Sequence, residues 1–519
     1  MGTGKSTVGR LAARQLGLRF VDCDDLIAQR AGCSIPEIFQ HEGELAFRRL
    51  ERQAISEVAR EVGVVIATGG GALNDRRNFA DLRAGGLIVC LAARSEVIWQ
   101  RVRRTADRPM LYARDPRRRL QQLLQQRAPL YAQADFTVDT SDSPVARIVR
   151  EVVGRYRAVR VALGERSYDI LIAEGMLSEL GGEVRRRVSP TSAVVVTDSH
   201  VARHYGRSVL TILQTAAIPA HLVTVPSGER SKTLTWAKRL YGRLLEHRLD
   251  RAGAVIALGG GVIGDLAGFV AATYLRGVAF VQLPTSLLAQ VDASVGGKVA
   301  VNHPKGKNLV GAFYQPRLVA IDPTTLHSLS PRELRCGLAE VVKHGAIADA
   351  GFLSYLEEHA ADCLALNVDL LRLCIRRSCE IKSRVVAADE HDRSGERALL
   401  NFGHTVGHAI ETHFGYRRYR HGEAVALGMV VAARISERLG LLAGGEVNRL
   451  RGLLKKLDLP VRLPTISADE LLPIIGYDKK AHAGELRMVL LRHLGVAVVR
   501  SVPLRVMAKA INELGIEER

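Results

Sequence analysis

The chain has 519 residues, too many for one hydrophobic core, with 47% hydrophobic and 24% charged residues in an ordinary globular balance. Its formal net charge is +19 while aromatics make up only 5%, which argues against base-stacking platforms for nucleic acid and favours small, strongly anionic partners. Seven dispersed cysteines without a CxxC pair, no apolar run of membrane length and no signal-peptide core predict a reduced, cytoplasmic protein that engages neither membrane nor nucleic acid.

The first segment runs to about Gly154. Gly2-Thr3-Gly4-Lys5-Ser6-Thr7 leads into a helical pattern over Val8 to Leu16, the back half of a phosphate loop. Backbone N–H groups of such a loop cradle phosphates, its lysine reaches the β- and γ-phosphates, and the adjoining hydroxyl binds magnesium. Phe20-Val21-Asp22-Cys23-Asp24 reads as a strand ending in two acids, suited to magnesium and to a substrate hydroxyl. Arg48 and Glu51 share a helix face. Val64 to Ala67 is a strand entering Gly69-Gly70-Gly71, where bare backbone can approach a ligand. The Arg-rich stretch from Arg101 to Arg119, with Arg108-Pro109-Met110-Leu111, reads as a lid, and Arg127-Ala128-Pro129-Leu130-Tyr131 follows.

Together these residues resemble shikimate kinase over almost the whole segment. The resemblance implies a P-loop kinase-like parallel sheet, with Asp24, Arg48, Gly70 and Arg127 at shikimate. It implies Gly2, Gly4, Lys5, Ser6, Thr7 and Arg108 at ATP and magnesium, with Ser6 on the metal, and Asp22 assisting the metal or activating the substrate hydroxyl. The family's first strand, and the glycine that opens its loop, would lie before Met1. The expectation is either a start further upstream or an impaired kinase. The family's adenine-contacting arginine is also missing where Val138-Asp139-Thr140 runs into Ser141-Asp142-Ser143.

A short joint over Glu151 to Ala158 precedes a second unit, expected over 159–330. Val159 to Leu163 and Tyr168 to Ala173 form a hairpin pattern. Strands at Ala193 to Thr197, Ala220 to Val225 and Ala254 to Leu258 alternate with helices, as in a parallel α/β sheet. The third strand enters Gly259-Gly260-Gly261-Val262-Ile263-Gly264-Asp265, a Gly-x-Gly-x-x-Gly loop between strand and helix, which predicts a dinucleotide. No acid lies between Leu266 and Val291, so Asp198 or Glu229, at other strand ends, is expected to hold the ribose. Lys298 and Lys307, on Gly-rich loops, suit anion binding.

From residue 331 to 519 the pattern is mostly helical. Glu340 and Lys343 lie one turn apart on an apolar helix, where a carboxylate is costly unless paired or bound to metal. Asn401 to Glu423 places His404 and His408 on one helix face and brings His421 after a break at Gly415, a candidate metal pocket that Glu340 can complete. Asp478-Lys479-Lys480 precedes a strand-like Arg487 to Leu491.

From Val159 onward these motifs resemble 3-dehydroquinate synthase, on Gly-Gly-Gly-Val-Ile-Gly-Asp, Asp-Ala-Ser-Val-Gly-Gly-Lys, Ala-Glu-Val-Val-Lys, Asn-Phe-Gly-His-x-x-Gly-His and His-Gly-Glu, in that order. The resemblance implies an NAD-binding α/β domain and a helical domain with the active site between them, in a homodimer. Zinc or cobalt would sit on Glu340, His404 and His421, leaving His408 to the substrate. NAD would contact Asp198, Ser227, Gly228, Glu229, Lys232, Gly260, Gly261, Val262, Gly264, Asp265, Thr285, Ser286, Lys298 and Lys307. The substrate, 3-deoxy-D-arabino-heptulosonate 7-phosphate, would meet Asp292, Lys298, Asn308, Lys343, Lys382, Arg397, Asn401, His408 and Lys479 or Lys480, with Arg276 reaching across the dimer. The implied reaction is transient oxidation by NAD, phosphate elimination, reduction and ring closure. Another NAD/metal sugar-phosphate cyclase, or a polyol dehydrogenase with an inactive kinase scaffold, is the alternative.

Overall fold

Runs of β-branched residues alternate with amphipathic helices along most of the chain, and the strands pair accordingly. The computed structural model describes residues 2–103, 114–462, 466–478 and 485–514; Arg108, Lys479 and Lys480 lie outside the described residues. The chain divides into one unit through Arg157 and another from Ala158. The boundary falls later than the expected Gly154 because helix Val145–Arg157 occupies the presumed joint. Its apolar stripe, Ile148, Val149 and Val153, packs on Val8 and Ala12 of helix Lys5–Leu16.

In the first unit, β1 (Arg19–Asp22) pairs in parallel with β2 (Val64–Ala67), and β3 (Val89–Ala92) with β4 (Phe136–Asp139). The expected single sheet is therefore two separate ladders among the described residues. β2 and β3 have the apolar composition of central strands, which parallel sheets normally bury, yet both are mostly half-buried. β1 ends at Asp22, short of the expected Asp24. The Asp22 carboxylate accepts the Asp24 N–H at 3.1 Å and so caps helix Cys23–Ala31.

The second unit opens with β5 (Ala158–Val161) and β6 (Tyr168–Ile172), an antiparallel pair, followed by β7 (Ala193–Asp198), β8 (Ala220–Val225), β9 (Ala254–Gly259) and β10 (Ala279–Pro284). A separate hairpin of β11 (Lys298–His303) and β12 (Gly306–Phe313) precedes β13 (Leu318–Ile321). The seven-stranded sheet has the order β5-β6-β13-β10-β9-β7-β8, parallel except at β5. β9 is buried along its whole length, as expected of a strand covered on both faces. β8 lies on one side of β7 and β9 on the other, so the winding reverses between β7 and β9. Open α/β sheets bind ligands in the crevice beyond the strand ends at such a point. Asp198 and Gly259-Gly260-Gly261 stand there.

Beyond Pro331 come helices Pro331–Ala348, Val368–Ala388, His404–His413 and His421–Arg438. The expected strand Arg487 to Leu491 is the middle of β14 (Glu485–His493); its antiparallel hairpin partner β15 (Val496–Pro503) has no counterpart among the expected strands. Among the described residues, no helix is long and apolar enough to cross a membrane.

Two glycines set the spacing of this helical part. A Cβ on Gly428 would lie 1.9 Å from the carbonyl oxygen of Gly403, and one on Gly422 would lie 2.2 Å from that of Cys336. The backbone of helix His421–Arg438 therefore touches both the start of helix His404–His413 and helix Pro331–Ala348. Replacing Gly428 by alanine is expected to destabilise the second unit by about 1–3 kcal/mol through overpacking against fixed backbone. Denaturant unfolding followed by circular dichroism checks this; an unchanged midpoint contradicts it.

Candidate functional site

The close helix crossings bring three side chains from three helices together. Glu340 is 1% exposed, and neither of its carboxylate oxygens makes a well-formed hydrogen bond. Oε1 lies 3.6 Å from His404 Nε2 and 3.5 Å from His421 Nε2, while the Lys343 ammonium pairs with Oε2. Burial opposes a charge on Glu340, but Lys343, His404 and His421 hold its pKa well below the usual carboxylate range.

Each imidazole is anchored through its other nitrogen. His404 Nδ1 lies 3.2 Å from the Phe402 carbonyl oxygen, and His421 Nδ1 lies 3.0 Å from Glu411 Oε2. Contacts at Nδ1 turn each Nε2 toward Glu340, which is how metal-binding histidines are normally oriented. Burial pushes His404 down to about 3, so its ring is neutral. Burial also opposes charge on His421, yet Glu340 and Glu411 raise it to about 10; a metal there would displace a proton. The donor set of one carboxylate and two imidazoles within 4.8 Å of one another fits a zinc-like divalent ion with an open position. His408 stands on the exposed side, its ring 5.4 Å from His404 and 5.9 Å from His421. Its ring also falls in a second group with Glu411 and His421, and Glu340 belongs to two groups, one with His404 and His421 and one with Asp292 and His344.

Cations and carboxylates alternate beside this cluster. Asp292 lies 2.8 Å from Lys382 Nζ and 3.5 Å from Lys343 Nζ, and its backbone carbonyl accepts from Lys382 at 2.7 Å. Burial works against the Asp292 charge, but Lys343 and Lys382 drive its pKa far down. Arg397 donates to the carbonyls of Glu390 at 2.8 Å and Gly296 at 3.0 Å. Tyr168 accepts the Gly296 N–H at 3.1 Å, so that loop is held from both sides. Lys298 pairs with Asp392 at 2.5 Å. Asn401 is exposed, in the turn before helix His404–His413. Arg276 is exposed on a turn where both it and Leu275 have positive φ, and it makes no hydrogen bond or ion pair among the described residues.

At the strand ends, helix Gly261–Thr273 starts at Gly260 with no side-chain cap, so its first N–H groups face the crevice. A Cβ on Gly260 would lie 3.3 Å from Ser286 Oγ, one on Gly261 3.3 Å from Ala293 Cβ, and one on Gly264 2.9 Å from Gln282 Oε1. These glycines let the helix start pack closely on neighbouring segments, and its uncapped N–H groups are suited to an anion such as a pyrophosphate. Val262 lies in the first turn of the same helix, and Thr285 donates its N–H to Gly259 at 3.1 Å. Asp198 caps its own loop, accepting from His200 N–H at 2.8 Å and Ser227 Oγ at 2.8 Å. Glu229 accepts from Asn302 at 2.7 Å and faces Lys307 at 4.0 Å, beside Gly228 with its positive φ. Lys232 pairs with Asp265 and donates to Asn308 Oδ1 at 2.5 Å.

In the first unit Gly4 is left-handed and leaves helix Lys5–Leu16 without a side-chain cap, with Gly2 also at positive φ and Thr7 in the first turn. Ser6 Oγ donates to Asp22 Oδ2 at 2.6 Å. Arg48 pairs with Glu51 at 2.7 Å and Glu44 at 3.0 Å, while Arg127 and Tyr131 donate to the Gly70 carbonyl at 2.8 and 2.7 Å. A Cβ on Gly69 would lie 3.1 Å from Asp24 Oδ1, and one on Gly71 2.8 Å from Arg48 Nη1. Asp24, Arg48, Gly70 and Arg127 thus meet around one glycine turn. The exposed Ser6–Asp22 pair beside an uncapped helix start fits a magnesium-bound phosphate.

Residues absent from the sequence expectations complete the picture. Glu411 lies on the helix face of His404 and His408, a signal the spacing carried. His344, fully buried beside Asp292 with neither ring nitrogen hydrogen-bonded, and Asp392, brought to Lys298 by a loop, carried none.

Family models for shikimate kinase match residues 1–157, for the 3-dehydroquinate synthase N-terminal domain 222–336, and for the C-terminal domain 337–481. A curated 3-dehydroquinate synthase from Desulforamulus reducens is 48% identical over 338 residues, 65% of this chain and 94% of that protein. A crystal structure of 2-deoxy-scyllo-inosose synthase with carbaglucose-6-phosphate, NAD+ and Co2+ is similar at TM-score 0.63 and 27% identity, over 69% of this chain and 99% of that one. The 2-epi-5-epi-valiolone synthase from Streptomyces hygroscopicus subsp. jinggangensis 5008, with NAD+ and Zn2+ bound, is similar at 0.61 and 27%, over 68% and 98%.

Replacing Asp292 by asparagine removes the carboxylate partner of Lys382 and leaves Lys343 with Glu340 alone, an expected loss of about 3–5 kcal/mol at pH 7. The Asp292 pKa is depressed on folding, so its contribution is complete above its unfolded value of about 3.9 and disappears as pH falls through the folded value. The stability gap between wild type and Asp292→Asn should hold from pH 7 to 5 and narrow below about pH 4; denaturant titrations at each pH test this.

Proposed function

The chain belongs to the 3-dehydroquinate synthase family and carries a shikimate kinase domain ahead of it, and from that premise we propose how its residues divide two reactions. The second unit converts 3-deoxy-D-arabino-heptulosonate 7-phosphate to 3-dehydroquinate and phosphate. The first phosphorylates shikimate with ATP. The observation that carries the synthase assignment is the buried Glu340 carboxylate between two Nδ1-anchored imidazoles.

Glu340, His404 and His421 would hold zinc or cobalt, and the crevice at Gly260, Gly261 and Asp198 would hold NAD. When bound, the metal supplies Lewis-acid polarisation of a substrate hydroxyl, and NAD a hydride acceptor that ends the cycle oxidised. Lys298, Lys343, Lys382 and Arg397 neutralise the carboxylate and phosphate of the substrate. Their present partners Asp392, Asp292 and Glu340 keep these cations in place beforehand, which lowers the reorganisation needed on binding. His408 and Asn401 face the substrate, and Arg276 on its exposed turn serves the active site of a partner subunit in a homodimer. Free cysteines throughout are in keeping with a cytoplasmic protein.

In the kinase, Gly2, Gly4, Lys5 and Thr7 line the phosphates, Ser6 and Asp22 the magnesium, and Asp24, Arg48 and Arg127 hold shikimate at the Gly70 turn. The Arg48–Glu51 ion pair pre-orients the guanidinium for the substrate carboxylate.

Incubation with the heptulosonate phosphate should release one phosphate per substrate consumed with no net NADH; steady NADH production from glycerol, or no phosphate release, refutes the synthase reading. Replacing Lys5 by alanine should lower shikimate-dependent ATP turnover by about a hundredfold or more and leave phosphate release from the heptulosonate unchanged. A kinase rate that does not depend on Lys5, or is absent from wild type, refutes the kinase roles.

A further inference from the structure

Glu411 is 7% exposed, and a buried carboxylate must be paired to stay ionised. It sits one turn beyond His408 and two beyond His404 on the same face of helix His404–His413. Its Oε2 lies 3.0 Å from Nδ1 of His421, at the start of the neighbouring helix. His421 Nε2 then points at Glu340 Oε1, 3.5 Å away. The other imidazole of the cluster rests on a neutral group, the Phe402 carbonyl. The two histidines therefore differ: one is backed by an amide dipole, the other by a full negative charge.

A carboxylate behind an imidazole does two things. It fixes the tautomer with hydrogen on Nδ1, and it makes Nε2 a stronger donor. It also adds a second negative charge near the ion, offsetting the Lys343 ammonium that pairs with Glu340. We propose that Glu411 is the positioning residue that sets metal retention in this site, by holding His421 as an Nε2 donor and supplying the outer negative charge. The inference rests on the metal reading of Glu340, His404 and His421.

Two variants separate its parts. Glu411→Gln keeps the volume and an acceptor for Nδ1–H but removes the charge; Glu411→Ala removes both. Zinc affinity is measured by competition with a chromophoric chelator, and the coordination sphere by the visible spectrum of the cobalt-loaded protein. NAD affinity by calorimetry reports whether the rest of the unit is intact. Wild type should bind one zinc, Glu411→Gln about tenfold more weakly and Glu411→Ala about a hundredfold more weakly, with a changed cobalt spectrum and unchanged NAD affinity. Should Glu411→Ala fail to fold, Glu411→Gln alone decides. Metal bound equally by wild type and Glu411→Gln, with identical cobalt spectra, overturns the inference while the metal reading stands. No metal on wild type overturns both.

Discussion

A carboxylate that is almost wholly removed from water, on a helix otherwise packed with apolar residues, is the constraint on which the second unit turns. Glu340 would be expensive to bury alone. It is tolerated because Lys343 follows one turn later and because two imidazoles from two other helices approach it. Neither oxygen is fully satisfied by these neighbours. The protein has thus assembled a carboxylate and two imidazoles around a point that their protein neighbours do not fully satisfy, a donor set that suits a divalent cation.

The surrounding architecture serves that placement. Glycines at 422 and 428 allow backbone-to-backbone contact between the helices that carry Glu340, His404 and His421. Tyr168, on a strand of the sheet, and Arg397, from the helical part, grip Gly296 from opposite sides, so the loop carrying Asp292 and Lys298 is located by both layers. The lysines are each matched by an acid at rest. A cluster of bare ammonium groups would repel itself; alternation with Asp292, Glu340 and Asp392 makes a strongly basic cleft compatible with a stable fold.

The first unit repeats the same logic on a smaller scale. Arg48 is held by Glu44 and Glu51, and Arg127 by the Gly70 carbonyl, so both guanidinium groups are fixed by protein partners. The uncapped start of helix Lys5–Leu16 leaves donors for phosphate. Its strands form two parallel ladders, each with apolar members less covered than their composition calls for.

Much of this was legible in the sequence because it depends on neighbours along the chain. Helical spacing placed His404 with His408 and Glu340 with Lys343, and strand–glycine–helix order located the crevice. The alternation of strand and helix followed from periodicity; the sequence divided the second unit into an α/β part and a helical part, whereas the structure keeps both in one unit from Ala158 onward. What the sequence could not determine depends on contacts between distant segments. Glu411 becomes significant only through its contact with His421, which starts the neighbouring helix. Asp392 and His344 matter only through where a loop and a helix bring them. Arg397 turned out to bind backbone carbonyls, and the parallel strands of the first unit remained as separate pairs. Local spacing decides which side chains share a face; only tertiary packing decides which faces meet, because the close approach of helices is set by the absence of side chains far away in sequence.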